Sequence, residues 1–365
     1  MNTVYLFIAS LSSGGAEHQL TMLANMMADH YNVNIVTFSD VEDHYPIDDR
    51  IRRVRLEKKS KWRTLFSCFS YFFKLKRGCV ISYGQRENLL CLLPMIFNHR
   101  VKVIASDRNT TIGKPSLIEK ILCKRLYRRA QFIVPNSQTQ ANYLCYKYPK
   151  LANKVVTITN YTDLNQYVVA PYPHNNVLRI GVFCRYEQQK NYQRFVLVVK
   201  KLVDQGLDNF VVEWYGNQAR LGKPHPGYLN MKELVKQNRL EKIILLNNSI
   251  QGVAAKMAEM DVLCLPSLYE GFSNTISEGI CCGRPMLVSR VSDNPVMVHD
   301  GVNGFLFNPL DVDDMAKKFE KMLNLSREKR EQMGMAGRKI AEALFNKEKF
   351  EQDYLNLIES NMLLR

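Results

Sequence analysis

Short apolar runs alternate along the whole chain with longer stretches that carry a single apolar face. In the first half the runs fall at residues 4–9, 33–38, 79–82, 101–105, 132–135 and 155–159. In the second half they fall at 178–183, 210–215, 242–246, 262–266 and 286–288. Several are apolar throughout instead of alternating, as parallel strands covered on both faces require. Strands alternating with helices predict a doubly wound α/β architecture. The series restarts near Leu178, just after "APYPHNN" at 170–176, whose two prolines and polar residues read as a linker. The pattern therefore predicts two Rossmann-like domains, residues 1–172 and 173–345. Open parallel sheets take ligands beyond the carboxyl ends of their strands, so two such domains predict a cleft between them. Residues 346–365 place Phe350, Tyr354, Leu357, Ile358 and Met362 on one helical face. They are expected as a terminal helix packing back toward the first domain.

A length of 365 residues agrees with two cores instead of one. The start "MNTVYLFIAS" lacks a cationic leader and runs into "LSSGGAE", which argues against a signal peptide. The apolar run at 89–97 contains Pro94 and is about half the length that crosses a bilayer, so no spanning segment is expected. The nine cysteines form no C-x-x-C pair, which points to reduced thiols in a cytoplasmic protein, not to a disulfide framework or a zinc site.

Candidate chemistry is concentrated in "LPSLYEGFSNTISEGICCGRP", residues 265–285. Glu270 stands in the loop after a predicted strand, and Glu278 stands in the helix that follows. A helix start at the carboxyl end of a strand attracts phosphate through its backbone N–H groups and dipole. Thr275-Ile276-Ser277-Glu278 also fits the capping box S/T-x-x-E, which alone would explain Glu278. Glu270 has no such explanation.

The stretch "YEGFSNTISEG" resembles the E-x7-E motif of the retaining nucleotide-sugar glycosyltransferases of family 4, which have the GT-B fold. The resemblance implies that Glu270 contacts the donor sugar and Glu278 the ribose. Backbone amides from Phe272, Ser273, Asn274 and Thr275 would bind sugar and phosphates. Arg185 and Lys190, in "IGVFCRYEQQKN", resemble that family's diphosphate-clamping pair. Two fixed cations suit a leaving group that gains negative charge as the glycosidic bond breaks. "SLSSGGAEHQL" resembles the family's N-terminal glycine loop, with Gly14 and Gly15 approaching the donor phosphates, although a plain strand-to-helix turn has the same look. "TNYTDLNQY" resembles its N-G-V-D stretch, with Tyr161 and Thr162 as departures. Where many relatives carry a histidine, "VIASDRNTT" offers Asp107, Arg108 and Asn109, which resemble an S-E-R-N variant on the acceptor side. His18 is the alternative donor-side histidine.

Two signals are set aside. The D-x-D within "DVDD", residues 311–314, precedes an amphipathic helix and reads as N-terminal capping, so no catalytic metal is expected. Cys281 and Cys282 read as core. No cofactor is expected, the nucleotide-sugar, UDP- or GDP-linked, being a co-substrate.

The net charge of +15 changes the picture at the front of the chain. Residues 1–170 hold 24 Lys and Arg against 12 Asp and Glu, and the remainder is nearly balanced. Residues 50–77 alone hold eleven cations and one acid, interleaved with Trp62, Phe66, Phe69, Phe72 and Phe73. Such a segment fits an anionic membrane surface; the alternatives are a basic surface helix whose aromatics are core, or nucleic acid, for which no recognition motif is present. The expected protein is a cytoplasmic glycosyltransferase peripheral to the inner face of the membrane. Its partners would be a nucleotide-sugar donor and a lipid-linked glycan acceptor. A GT-B sugar-nucleotide epimerase and a catalytically inactive glycan- or membrane-binding protein remain the alternatives.

Overall fold

A computed structural model describes residues 2–12, 14–39, 43–56, 60–108, 115–220 and 222–363, so that Asn109 among the candidate site residues lies outside it. The chain forms two compact units, Met1–Tyr161 with Lys347–Arg365, and Thr162–Asn346.

The first unit runs β1 (Thr3–Phe7), α1 (Gly15–Met27), β2 (Asn32–Thr37), β3 (Arg52–Arg55), α2 (Lys61–Lys74), β4 (Cys79–Tyr83), α3 (Gln85–Leu92), β5 (Lys102–Asp107), α4 (Leu117–Ile121), β6 (Phe132–Pro135) and α5 (Gln138–Lys147). Its six strands are all parallel, in the order β3-β2-β1-β4-β5-β6. The central strands are apolar because helices cover both faces. On one face Phe7, Val80 and Val103 meet Phe72 of α2 and Cys91 of α3. The basic segment divides into a strand, β3, and a helix, α2. Arg52–Arg55 is an edge strand paired with β2, and charged side chains suit an edge with one bonded side. Residues 155–159 are not the expected strand: Val155 makes one isolated bridge to Ile133.

The second unit runs β7 (Leu178–Phe183), α6 (Tyr192–Asp204), β8 (Phe210–Tyr215), the small hairpin β9 (Ala219–Arg220) and β10 (Lys223–Pro224), α7 (Pro226–Gln237), β11 (Ile244–Asn247), α8 (Val253–Ala258), β12 (Val262–Leu265), α9 (Asn274–Cys281), β13 (Met286–Ser289), α10 (Asn294–Met297), β14 (Gly304–Phe307), α11 (Val312–Leu323) and α12 (Arg327–Leu344). Its main sheet is parallel in the order β11-β8-β7-β12-β13-β14. Trp214, Phe195, Phe319 and Phe307 pack together in its core. The chain then returns to the first unit as α13 (Lys347–Leu363), burying Phe350, Tyr354, Leu357 and Ile358.

The units change over at Tyr161, not at 172, because the intervening residues are bonded into the second unit. The Thr162 hydroxyl donates to Ser277 Oγ at 3.0 Å, and the Tyr172 hydroxyl donates to the Asp261 carbonyl at 2.5 Å. Arg284, 1% exposed, donates to the carbonyls of Ala258, Ala170 and Pro171 and lies 5.3 Å from the Tyr172 ring. The prolines at 171 and 173 therefore stiffen a strap on the second unit instead of a free linker.

Candidate functional site

In the second unit β7 and β12 are neighbours, yet β8 lies beyond β7 on one side and β13 beyond β12 on the other. Strand order reverses there, and the crevice at the carboxyl ends of these two strands is where a doubly wound sheet takes its ligand. The loop after β7 carries Arg185 and Lys190; the loop after β12 carries Glu270 and leads into α9.

Arg185 is exposed and its Nη1 lies 3.1 Å from Glu187 Oε1. The next residue fixes its backbone. Tyr186 is fully buried, with its hydroxyl 3.1 Å from the Trp214 carbonyl and 2.8 Å from that of Asn247. A Cβ on Gly227 would stand 1.7 Å from the Tyr186 carbonyl, so the turn needs glycine opposite it. A single 3-10 turn, Gln188–Lys190, then ends at Asn191, whose φ of 56° is left-handed. Asparagine tolerates that conformation, and the Asn191 amide donates to the Pro309 carbonyl at 2.8 Å.

Lys190 and Glu270 are each 9% exposed, and Nζ donates to Oε1 at 2.5 Å. Burial pulls the lysine toward neutrality, but the facing carboxylate outweighs it and the ammonium is held above its ordinary value. The sequence places these residues 80 positions apart; the fold brings them into contact.

The rest of the E-x7-E stretch is more buried than its composition suggests. Phe272 packs edge-on against Phe345, ring centroids 6.3 Å apart, and Ser273 is buried. Ser273 is the N-cap of α9, without a side-chain cap bond, and Asn274 opens the helix. That places the N-terminus of an eight-residue helix at the carboxyl edge of the sheet, where its dipole favours an anion. Thr275 Oγ1 donates to the Phe183 carbonyl at 3.0 Å, which ties α9 to the end of β7.

The capping-box explanation of Glu278 fails. With Ser273 as cap, Glu278 lies past the first turn, and its carboxyl instead accepts from the Tyr167 hydroxyl. Burial pushes Glu278 up to about 7, the tyrosine bond opposing, while burial and the glutamate push Tyr167 above the usual phenol range. In contrast, Asp311 does cap: its carboxylate accepts from the N–H groups of Asp313 and Asp314, as expected for "DVDD". Among the described residues no three His, Cys, Asp or Glu gather as a metal site. Cys281 and Cys282 are fully buried.

In the first unit the strand order reverses between β1 and β4. Gly14 caps α1 and Gly15 is its first residue. Gly14 N–H donates to the Tyr45 hydroxyl at 3.3 Å, and that hydroxyl donates to the Gly14 carbonyl at 3.2 Å. His18 stacks on the Tyr45 ring at 4.6 Å, and burial together with His44 pulls its imidazole below the ordinary value, so it is neutral at pH 7. Gly84, at φ 113°, opens α3. The carboxylates of Glu17 and Glu87 lie over Gly14 and Gly84, within 2.3 and 2.5 Å of where a Cβ would stand. Burial pushes Glu87 up to about 7, and Glu17 adds to the shift.

Two of the acceptor-side candidates, Asp107 and Arg108, make contacts within the first unit. Asp107 is fully buried and accepts from Gln140 at 3.3 Å. Arg108 stacks 4.1 Å over Tyr83 and donates to Asn160 at 2.7 Å and to Tyr354 of α13 at 3.1 Å. Neither Tyr45 nor Glu87 was singled out from sequence. The only signal for Glu87 is its place three residues after Gly84.

On α2, Cys68 and Phe72 are buried, whereas Trp62 is 81% and Phe66 73% exposed. A groove of about 740 Å³ runs past Leu56, Trp62, Arg63, Phe66, Tyr71 and Lys74. The aromatics of the basic segment therefore divide between core and surface. Among the described residues no helix is long and apolar enough to cross a membrane.

Residues 175–325 match the family model described as glycosyl transferases group 1. The chain is 23% identical, over 98% of both sequences, to a Campylobacter jejuni enzyme named GalNAc-alpha-(1->4)-GalNAc-alpha-(1->3)-diNAcBac-PP-undecaprenol alpha-1,4-N-acetyl-D-galactosaminyltransferase. It is also 23% identical to the amylovoran biosynthesis glycosyltransferase AmsD of Erwinia amylovora, over 79% of this chain and 80% of that one. Among solved structures, sucrose-phosphate synthase of Thermosynechococcus elongatus superposes with a TM-score of 0.85 at 15% identity, covering 99% of both chains. Anabaena Alr3699/HepE, in complex with UDP and glucose, gives 0.83 at 16% identity, over 99% of this chain and 100% of that one.

Proposed function

Because this chain is a glycosyltransferase of GT-B fold whose residues 175–325 form a glycosyl transferases group 1 domain, we propose that it is a retaining family 4 enzyme. It would move a sugar from a UDP- or GDP-linked donor to a hydroxyl of a lipid-linked glycan. The observation that carries the reading is the buried Lys190–Glu270 pair, 2.5 Å apart, between the loops after β7 and β12.

In this scheme the bond from the anomeric carbon to the diphosphate oxygen breaks, and charge grows on the diphosphate. Arg185 and Lys190 stabilise that charge, the fixed lysine most directly. The N-terminus of α9, with amides of Phe272, Ser273, Asn274 and Thr275, receives phosphate and sugar oxygens. Glu270 orients the sugar hydroxyls, and Glu278 accepts from the ribose diol. Gly14, Gly15 and His18, at the start of α1 in the first unit, keep the donor-side role that the family resemblance implies. The acceptor oxygen bonds to the anomeric carbon on the face the diphosphate leaves, and its proton passes to the departing phosphate oxygen. No metal or cofactor enters the scheme.

The names of two relatives, one containing PP-undecaprenol and one amylovoran biosynthesis, support a lipid-linked acceptor in surface-polysaccharide assembly. Such an acceptor suits peripheral binding at the inner membrane face through residues 50–77. Burying exposed Trp62 and Phe66 would contribute about 1.5–3 kcal/mol each, and each nearby cation about 1 kcal/mol on an anionic surface.

The test is nucleoside diphosphate release from a panel of nucleotide sugars, with and without a polyprenyl-diphosphate glycan, and NMR of the product anomer. Release with an α-linked donor giving an α-linked product is expected. A β product would sink retention, an epimerised free donor would favour the epimerase, and no release with any donor would favour an inactive binding protein. Sedimentation with phosphatidylglycerol vesicles, abolished in Trp62→Ala/Phe66→Ala and absent with phosphatidylcholine, tests the surface.

A further inference from the structure

We propose that Gln189 is a positioning residue that sets Lys190 in register with Glu270, an inference that rests on the functional reading above. Direct pairing between β7 and β12 reaches Gly181 against Leu263 and stops there. Beyond it the two loops run on without the sheet to align them, and three successive contacts take over. The Leu268 N–H donates to the Gln189 carbonyl at 2.8 Å, the Gln189 side-chain amide donates to the Tyr269 carbonyl at 2.8 Å, and Lys190 Nζ donates to Glu270 Oε1 at 2.5 Å. One residue thus grips two consecutive positions of the opposite loop, with its backbone and then its side chain. The next pair along is left one meeting point.

The arrangement matters because a lysine ammonium rides on a flexible four-carbon stem and is placed by what it meets. The far sides of the loops have separate anchors, Asn191 on the Pro309 carbonyl and the Glu270 N–H on Ser292 Oγ at 3.4 Å. Beside the Thr275 bond to Phe183 at the helix start, Gln189 supplies the cross-link next to the Lys190–Glu270 pair. A displacement of roughly 1 Å at a reacting group costs up to about 10²-fold in rate.

Gln189→Met keeps the length and the backbone bond to Leu268 but removes the donor to Tyr269. The kcat for nucleoside diphosphate release is expected to fall about 10- to 100-fold, with donor KM changed less than about threefold. In a Glu270→Ala background, read by single-turnover release, the same substitution should cost less than about twofold, since Lys190 then has no side-chain oxygen at 270 to meet. Amide hydrogen exchange in peptides covering 268–270 should be faster in the variant. If Gln189→Met does not fold, Gln189→Asn, one methylene shorter, carries the same expectations. A kcat within about twofold of wild type, or an equal loss in both backgrounds, overturns the inference. A wild-type protein that releases nothing from any donor counts against the functional reading alone; unchanged exchange in the variant then still overturns this one.

Discussion

The two units wind the same parallel sheet, each with its order reversing between the first and fourth main strands, yet the reversal points hold different chemistry. In the second unit a lysine and a carboxylate face each other almost out of water. In the first, Glu17 and Glu87 curl over the glycines that open α1 and α3. Topology decides where a ligand goes; side chains decide which. A fixed cation suits a leaving diphosphate, whereas a pair of acids at helix N-termini chiefly satisfies those helices.

The comparison breaks most readily in activity. Lys190→Ala and Glu270→Ala should each lower kcat about 10³-fold, and Glu87→Gln less than about tenfold, read by nucleoside diphosphate release. An equal loss in Glu87→Gln would make the first unit's reversal point chemical as well. Next in size is Arg284→Met, which strands the carbonyls of Ala258, Ala170 and Pro171. A loss of about 3 kcal/mol and a fall of several degrees in melting temperature are expected, with the first unit's core unaffected.

Acidity gives a subtler contrast, because Glu87 and Glu278 are both pushed up to about 7 by burial. If Glu278 holds the ribose as proposed, the consequence is binding: a diol is best held by the ionised carboxylate, so donor KM should fall about three- to tenfold from pH 6 to pH 8. Glu278→Gln should flatten that profile. For Glu87 the consequence is stability. Its folded value lies above the ordinary 4.5, so the folded state holds the proton more tightly, and stability is lost as pH rises toward and through 7. Glu87→Gln should therefore be about 1–3 kcal/mol more stable than wild type at pH 8 and indistinguishable at pH 4, by urea unfolding. The smallest effect is expected at Asp311→Ala: about 1 kcal/mol from the lost cap, and activity as insensitive to EDTA as wild type.

Much of this was legible in the sequence, where the physics is local. Continuous apolar runs marked most of the strands, and Asp311 read as a cap from its immediate neighbours. β3 escaped because "RRVR" is an edge strand, which needs little apolar content. Residues 155–159 misled because a β-branched run marks a strand only where a partner continues the pairing. Glu278 fitted a local capping rule that the observed cap, Ser273, two positions before Thr275, set aside. Glu270 stood out as unexplained by its neighbours, but its contact with Lys190 spans 80 positions and is written in the fold alone. Gln189 shows the same limit: a half-buried glutamine beside a lysine carries no sequence signature.

The return of α13 to the first unit also bears on how the protein is made. Tyr354 is fully buried, its hydroxyl 3.2 Å from that of Tyr83 and within reach of Arg108. Those partners leave the ribosome more than 240 residues earlier and must wait, at roughly 5–20 residues per second, for the tyrosine to be synthesised. The second unit has no such wait, since its residues 162–346 are contiguous. The half that begins the chain is thus completed last, and a nascent chain stopped short of Tyr354 would leave Arg108 without its hydroxyl partner and an apolar face for chaperones to cover.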